Sequence, residues 1–239
     1  MLIEQKRIPE RTEEVCDGQH YIKRVKAMMV GEHYPFLVER MIKEVGFGPG
    51  KALEIGPGPM PMGFSFCKQT QWDVIGIDIS EEIVELARKE LKKEEQNGHY
   101  RIKVANAECM PFSDEMFNFV FSSGSLHHWL NPVKVFQEIN RVLAPGGTVL
   151  IFDLCREHYG DDKYFDHIMG TVKKEFKQGL LDSIKAAYVP EEIYHLILES
   201  GTLDIWKRIQ FEQYHGNMLQ LNQAVILQKP LLRQIRLYK

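Results

Sequence analysis

No run of about 18 consecutive apolar residues occurs anywhere in the chain, so a membrane-spanning helix is not expected. The opening segment MLIEQKRIPERTEE carries charge from its fourth residue and has no apolar leader core, and the expected compartment is therefore the cytoplasm. Cysteine is scarce. Cys16, Cys67, Cys109 and Cys155 stand tens of residues apart, with neither a CxxC pair nor the density of a disulfide scaffold, and they are expected to be plain thiols in a reducing compartment. An excess of positive charge is also missing: 30 Lys and Arg against 33 Asp and Glu give a net charge of -3, which excludes a global field attracting nucleic acid or anionic membrane. The nine His residues form no HxxxH and no His/carboxylate cluster, so no metal is expected. There is no internal repeat, low-complexity tract or linker, and residues 1–239 read as a single domain. At 44% hydrophobic residues the chain can build a sizeable core, and small molecules become the favoured partners.

What is present is an alternation. Short β-branched runs at 51–55 (KALEI), 73–79 (DVIGIDI), 101–107 (RIKVANA), 117–123 (FNFVFSS) and 147–154 (GTVLIFDL) are separated by helical patterns. This spacing predicts βαβ units and an α/β fold: a doubly wound, mostly parallel sheet covered on both faces. Ser80 can cap a helix whose Glu81 and Glu82 suit the positive end of its dipole, with Ile83, Leu86, Ala87 and Leu91 as the apolar stripe. Asn131 caps a second helix with Pro132 at its first position, and Pro145-Gly146-Gly147 stops it. A third opens at Pro190 and ends at Gly201. Segments 203–212 and 222–229 then read as an antiparallel pair at the sheet edge, joined by a turn around His215-Gly216-Asn217. Around a core at 49–155 lie a helical segment at 1–48, an amphipathic insertion at 156–189, a C-terminal part at 190–229 and a basic tail at 230–239. The first and the inserted segments are either ordinary surface helices or a lid over the carboxyl ends of the strands, where open α/β sheets bind ligands.

The segment LEIGPGPMPMG, residues 53–63, decides the ligand. A phosphate cradle needs several converging backbone N–H groups, and Pro57, Pro59 and Pro61 have none. A dinucleotide fingerprint from Gly56 would place a glycine where Pro61 stands. Glu54, ionised at the mouth of the loop, would repel a pyrophosphate. Asp78 lies 20 residues beyond Gly58, the spacing that lets a carboxylate accept hydrogen bonds from two ribose hydroxyls, a feature that by itself fits NAD as well. The two strands together imply a ligand with a ribose, no pyrophosphate and a positive group near Glu54; S-adenosylmethionine has a ribose, an ammonium and a sulfonium.

The motifs ALEIGPG, GIDIS, ANAECMPF, FNFVFSSGSLHHW and EINRVLAPGGTVLIFDL, in this order and spacing, resemble the class I S-adenosylmethionine-dependent methyltransferases, in the small-molecule branch that includes the quinone C-methyltransferases. The resemblance is strong over residues 50–155 and loose over 190–229. It implies a Rossmann-like seven-stranded sheet of order 3-2-1-4-5-7-6 with the last strand antiparallel. It implies further that Glu54, Gly56 and Gly58 line the methionine end of the cofactor, Asp78 the ribose and Ile79 the adenine face. Asn106 stands where an aspartate usually accepts from the adenine amino group, Ala107 would offer its N–H to a ring nitrogen, and Ser122 and Ser123 would pass under the methionine moiety. Three positions depart from the pattern: Met60 replaces the third glycine, Asn106 keeps an acceptor oxygen but no charge, and Asn118 replaces a common aspartate.

Methyl transfer from a sulfonium chiefly needs alignment and exclusion of water, with a general base where the nucleophile carries a proton. His127 and His128 are the candidates for that base. Adjacency is expected to splay their side chains apart. Asp153 and His158 are weaker candidates on the same rim, and His20 and Tyr21 could reach in from the N-terminal segment, Tyr21 toward the methionine carboxylate. The expected function is transfer of a methyl group to a small, aromatic or lipidic acceptor, releasing S-adenosylhomocysteine. The alternatives are an NAD(P)-dependent oxidoreductase and a non-catalytic S-adenosylmethionine-binding regulatory protein. C-, O- or N-methylation and the oligomeric state stay open.

Overall fold

The computed structural model describes residues 7–8, 33–59, 62–93, 99–158, 169–170, 172, 174–213 and 222–231. Its elements run α1 (His33–Val45), β1 (Gly50–Ile55), α2 (Met62–Gln69), β2 (Trp72–Asp78), α3 (Glu81–Leu91), β3 (Tyr100–Val104) and β4 (Phe117–Ser123). They continue through α4 (Pro132–Val142), β5 (Leu143–Leu154), α5 (Lys174–Ala186), α6 (Pro190–Glu199), β6 (Arg208–Gln213) and β7 (Asn222–Gln228). The seven strands form one sheet of order β3-β2-β1-β4-β5-β7-β6. β1, β2, β3, β4 and β5 pair in parallel, whereas β7 runs antiparallel to both β5 and β6. This is the expected α/β architecture.

The strands alternate their side chains between two apolar layers, which is why the central strands β4 and β5 read as nearly continuous hydrophobic runs over most of their length. Leu53, Ile55 and Val120 join Phe136, Ile139 and Val142 of α4 and Ile193 and Ile197 of α6 on one face. Ala52, Phe119 and Phe121 join Leu37 and Met41 of α1, Phe66 of α2 and Val84 and Ala87 of α3 on the other. The local signals for the helix ends hold. The Ser80 hydroxyl accepts from the Ile83 N–H at 3.3 Å, and Asn131 Oδ1 accepts from the Lys134 N–H at 3.1 Å. At α6 the Glu192 carboxylate reaches back to the Val189 N–H at 3.1 Å, with Pro190 in the first turn.

Two boundaries differ from the pattern of residue types. β5 begins at Leu143, not 147, because α4 ends before Pro145, which has no N–H to continue it. The stretch around Pro145-Gly146 instead forms an irregularity, where the pairing shifts between Phe117 and Phe119. The segment from 203 opens as a 3-10 turn, Leu203–Ile205, and becomes strand only at Arg208. Trp206 is the cause: its indole N–H donates to the Thr202 hydroxyl at 3.2 Å while its ring is buried, which holds the chain in a turn. The β6–β7 register ends at Gln213↔Gln223, and the turn expected around His215 lies outside the described residues. Of the segment expected to be helical at 1–48, helix α1 is described. Arg7 and Ile8 lie against the end of α5, with the Arg7 Nε donating to the Ala186 carbonyl at 2.7 Å and the Ile8 N–H to that of Lys185 at 3.1 Å. Among the described residues no helix is long and apolar enough to cross a membrane.

The topology positions the site. From β1 the chain winds outward to β3, then returns to place β4 on the other side of β1. The loops after β1 and β4 therefore diverge, leaving a crevice at the carboxyl ends of these strands.

Candidate active site

The loop after β1 is shaped by Gly56 and Gly58, each at φ 64°, where a side chain would be strained. Gly56 has a second reason to be glycine, since a Cβ there would collide with the Ser125 hydroxyl from the loop after β4. The Gly56 N–H donates to the Ile77 carbonyl at 2.9 Å and the Gly58 N–H to Asp78 Oδ2 at 3.3 Å. Pro57 and Pro59 have no N–H, so among the described residues of this loop no amides converge on a diphosphate.

Asp78, at the end of β2, is held from two sides. Besides Gly58, the Ser80 N–H donates to its Oδ1 at 3.0 Å, which aims the carboxylate across the crevice toward the glycine loop. Burial pushes its pKa up, while the amides and the nearby His128 pull it back down. A partly dehydrated carboxylate of this kind is suited to a vicinal diol, which donates two hydrogen bonds to it.

Glu54 sits elsewhere than at the mouth of the loop. It is 1% exposed and lies beneath the loop, on the face packed by α2. The Gly63 N–H donates to its two oxygens at 3.1 and 3.2 Å, and the Tyr100 hydroxyl donates at 2.6 Å. Burial raises its pKa to about 7, against the lowering effect of these hydrogen bonds. A carboxyl group about half ionised at neutral pH is a weak repellent. Exclusion of a diphosphate therefore rests on the engaged amides and the prolines more than on the charge of Glu54.

Tyr100 was not singled out by the sequence, yet it is the loop's underpinning. Its hydroxyl reaches Glu54 through a slot left by two glycines. A Cβ at Gly76 would collide with that hydroxyl, and one at Gly63 would lie 2.8 Å from the Tyr100 ring and 2.7 Å from Glu54 Oε2. Gly76→Ala is expected to destabilise the fold by about 2 kcal/mol through overpacking. In a Tyr100→Phe background, where the colliding oxygen is gone, at least about 1 kcal/mol of that cost should vanish. Urea unfolding of the two single variants and the double variant measures this coupling, and strict additivity would mean that the slot is not formed as described.

The loop after β3 brings Asn106 and Ala107 to the same end of the sheet, because the Ala105 N–H donates to the Asp78 carbonyl at 2.9 Å. Asn106 Oδ1 accepts from the Glu108 N–H at 2.8 Å, closing a tight turn at its own position. Behind this loop stands Arg141, which the sequence reading missed. It donates to the carbonyls of Phe112 at 2.7 Å and Met110 at 3.0 Å and pairs with Glu138, which in turn accepts from the Met110 N–H at 2.6 Å. The i, i+3 spacing of Glu138 and Arg141 on the polar face of this amphipathic helix was the signal that could have found them. Ile79 and Val104, at the ends of β2 and β3, are exposed apolar side chains on the rim. Ser122 is buried, and its hydroxyl donates to the Ile55 carbonyl at 2.8 Å, stitching β4 to β1 at the crevice, while Ser123 is half-buried beside it.

His127 and His128 lie in a 3-10 turn, Leu126–His128, and their rings do not splay apart as adjacency in a strand would require. The centroids are 4.0 Å apart with a 42° tilt, because the turn keeps successive side chains on neighbouring sides. Their surroundings differ all the same. His128 is exposed and near enough to Asp78 to favour its ionised form, whereas His127 is buried against Asp153 near the end of β5, with Nδ1 2.6 Å from Oδ1. Arg7 caps this corner: its guanidinium donates to the His127 carbonyl at 3.1 Å and lies 4.1 Å from the centre of the Tyr188 ring. Tyr188 is anchored through its carbonyl by Gln223 at 2.7 Å, and Arg156 donates to the neighbouring Ala187 carbonyl and pairs with Glu192 at 2.6 Å. A small apolar cluster of Leu154, Met169, Val172, Leu180 and Ile184 covers the same side. His158 belongs to a 3-10 turn, Arg156–His158, while His20 and Tyr21 lie outside the described residues. Among the described residues no three metal-ligating side chains gather.

Comparison with known proteins agrees with this fold. Residues 53–151 match the family described as a methyltransferase domain. A ubiquinone/menaquinone biosynthesis C-methyltransferase of Blochmanniella floridana is 30% identical over 185 residues, which cover 71% of this chain and 71% of that protein. One of the same description from Geobacter sp. (strain M21) is 30% identical over 115 residues, 47% of this chain, so the chain matches only about half (49%) of that relative's length. The crystal structure of a putative S-adenosyl-L-methionine-dependent methyltransferase from Methanococcus maripaludis shares the fold at TM-score 0.68 and 21% identity, covering 89% of this chain and 92% of that one. With the sheet order, the glycine loop gripped by Asp78 and these likenesses together, the chain belongs to the class I S-adenosylmethionine-dependent methyltransferase family, in the branch similar to the quinone C-methyltransferases.

Proposed function

We propose that this chain binds S-adenosylmethionine in the crevice between the loops after β1 and β4 and catalyses transfer of its methyl group to a small-molecule acceptor. The observation that carries the reading is the Asp78 carboxylate, held by the Gly58 and Ser80 amides beside a loop in which, among the described residues, the Gly56 and Gly58 amides are engaged and Pro57 and Pro59 have none. Such a site accepts a ribose and offers nothing to a pyrophosphate. The cofactor, when bound, supplies a methyl group already activated by the positive sulfur.

The chain's residues bind, orient and exclude water. Asp78 takes the ribose hydroxyls, and Ile79 packs on the adenine face. Asn106 and Ala107 meet the adenine edge, the Ala107 N–H toward a ring nitrogen. Gly56 and Gly58 let the backbone approach the methionine end, with Glu54 acting through the loop it supports and Ser122 and Ser123 completing the floor. Tyr21 is assigned to the methionine carboxylate. His127 or His128 takes the acceptor's proton. Among the described residues, helix α5 with Arg7 and Tyr188 is the cover over this end of the single domain, and the apolar cluster that includes Leu180 and Ile184 of α5 supports an aromatic or lipidic acceptor. We assign the protein to the cytoplasm.

Thermal unfolding with S-adenosylhomocysteine, and separately with NADH, tests the reading. A rise in melting temperature of several degrees with the first alone is expected, since a ligand at 100 times its Kd adds about 2.7 kcal/mol. A rise with NADH alone would replace this reading by a dehydrogenase. Isotope transfer from methyl-labelled S-adenosylmethionine to a panel of phenolic, quinol and amine acceptors then separates an enzyme from a binding protein.

A further inference from the structure

We propose that Asp153 is a positioning residue that holds His127 with its proton on Nδ1, so that Nε2 is the nitrogen that accepts a proton from the methyl acceptor. The inference rests on the proposed function, in which His127 or His128 is the base; it selects His127 and adds the group that prepares it. One carboxylate holds this residue at two points. Asp153 Oδ2 accepts from the His127 backbone N–H at 2.8 Å, and Oδ1 lies 2.6 Å from the ring Nδ1. Oδ1 also accepts from the Leu154 N–H at 2.7 Å. Each oxygen of the carboxylate therefore already serves as an acceptor toward a backbone amide, and in the contact with the ring the hydrogen belongs to Nδ1. In the neutral imidazole that choice makes Nε2 the accepting nitrogen.

The pair is 4% and 3% exposed, and in so dry a place a charge-assisted hydrogen bond fixes both the tautomer and the rotation of the ring. The topology adds a reason for the pairing. Asp153 ends β5 next to β4, whose following turn carries His127, so two loops of the crevice are joined through one contact. The His127 ring is in contact with that of His128, which lies near enough to Asp78 to favour its ionised form, and the His127 carbonyl accepts from Arg7, whose guanidinium also lies over the Tyr188 ring.

The chemistry balances. As the nucleophilic atom of the acceptor bonds to the methyl carbon, the electron pair of the carbon–sulfur bond stays on sulfur. The acceptor's bond to hydrogen breaks, and its proton goes to Nε2. The positive charge lost from sulfur appears on the imidazolium, where the Asp153 carboxylate meets it.

The test is the tautomeric state of His127, read from two-bond nitrogen–proton correlations of the full chain labelled with 15N-histidine, at a pH where the rings are neutral. In the wild type the charge-assisted hydrogen bond predicts a tenfold or larger excess of the Nδ1–H form at His127. In Asp153→Asn, whose amide offers hydrogens of its own, the Nε2–H form should become the major one, with the His128 signals and the S-adenosylhomocysteine Kd changed less than about twofold. A wild-type His127 in the Nε2–H form overturns the proposal, as does an unchanged tautomer in the variant. The wild-type spectrum decides the first point even if the variant does not fold. Failure of S-adenosylhomocysteine to bind either protein would instead remove the cofactor reading, and leaves the tautomer result standing by itself.

Discussion

Replacing Asp78 with alanine is expected to abolish the thermal stabilisation of the protein by S-adenosylhomocysteine, with Kd rising roughly 10²- to 10³-fold. Two ribose hydroxyls donating to an ionised, partly buried carboxylate form charge-assisted hydrogen bonds of about 1.5–3 kcal/mol each, and both are lost together. The same carboxylate holds the Gly58 amide, so the glycine loop loses its tie to β2 at the same time. The ligand-free protein should behave differently. Burial pushes the Asp78 pKa up in spite of the two amides, which means that its charge is a burden in the absence of a ligand. Removal should change ligand-free stability by less than about 1 kcal/mol in either direction. Calorimetric titration paired with urea unfolding measures both quantities. If affinity survived the substitution, the ribose would have to lie somewhere else.

Glu54→Gln is expected to flatten the dependence of stability on pH between pH 4.5 and about 7. Burial raises the folded-state pKa of Glu54 from 4.5 to about 7, so the folded protein binds a proton at a pH where the unfolded chain has released it. The group's favourable contribution is complete below pH 4.5, where both states are protonated. It declines as the unfolded chain ionises, and is gone once pH passes the folded-state value. Across that interval the wild type should lose about 3 kcal/mol relative to the glutamine variant, at 1.36 kcal/mol per pKa unit. Glutamine preserves the size and one acceptor toward Gly63 and Tyr100, so the comparison isolates ionisation. Urea unfolding of both proteins at several pH values checks it. Parallel profiles would show that the carboxyl group is better solvated than its burial implies. This prediction also bears on function, since ionisation beneath the loop loads the element on which the methionine end of the cofactor would rest.

Much of this layout could be read directly along the chain. Ser80 and Asn131 mark their helices because a short acceptor side chain before an apolar stripe has one use in either place. Asp78 follows the glycines at the distance a βαβ unit requires, and the prolines of the loop exclude converging amides wherever the loop lies in space. The parallel sheet and its antiparallel edge followed from the alternation of runs and from the family resemblance. These are short-range signals, in which the residue and its partner lie a few positions, or one turn of supersecondary structure, apart.

The candidate site's working pairs are of another kind. Glu54 meets Tyr100 46 positions away, and His127 meets Asp153 26 positions away. The residue types on their own suggest other partners: a carboxylate facing a cation, or two histidines splayed apart. Sequence by itself determined the order of strands and helices, the ends of most of them and the chemical character of the glycine loop, because those depend on local backbone preferences and on periodicity. Only the tertiary structure decided that Glu54 lies under the loop and that Asp153 takes His127 rather than His128. Each outcome depends on which side chains the winding of the sheet brings within hydrogen-bond distance in a place too dry for water to take their role.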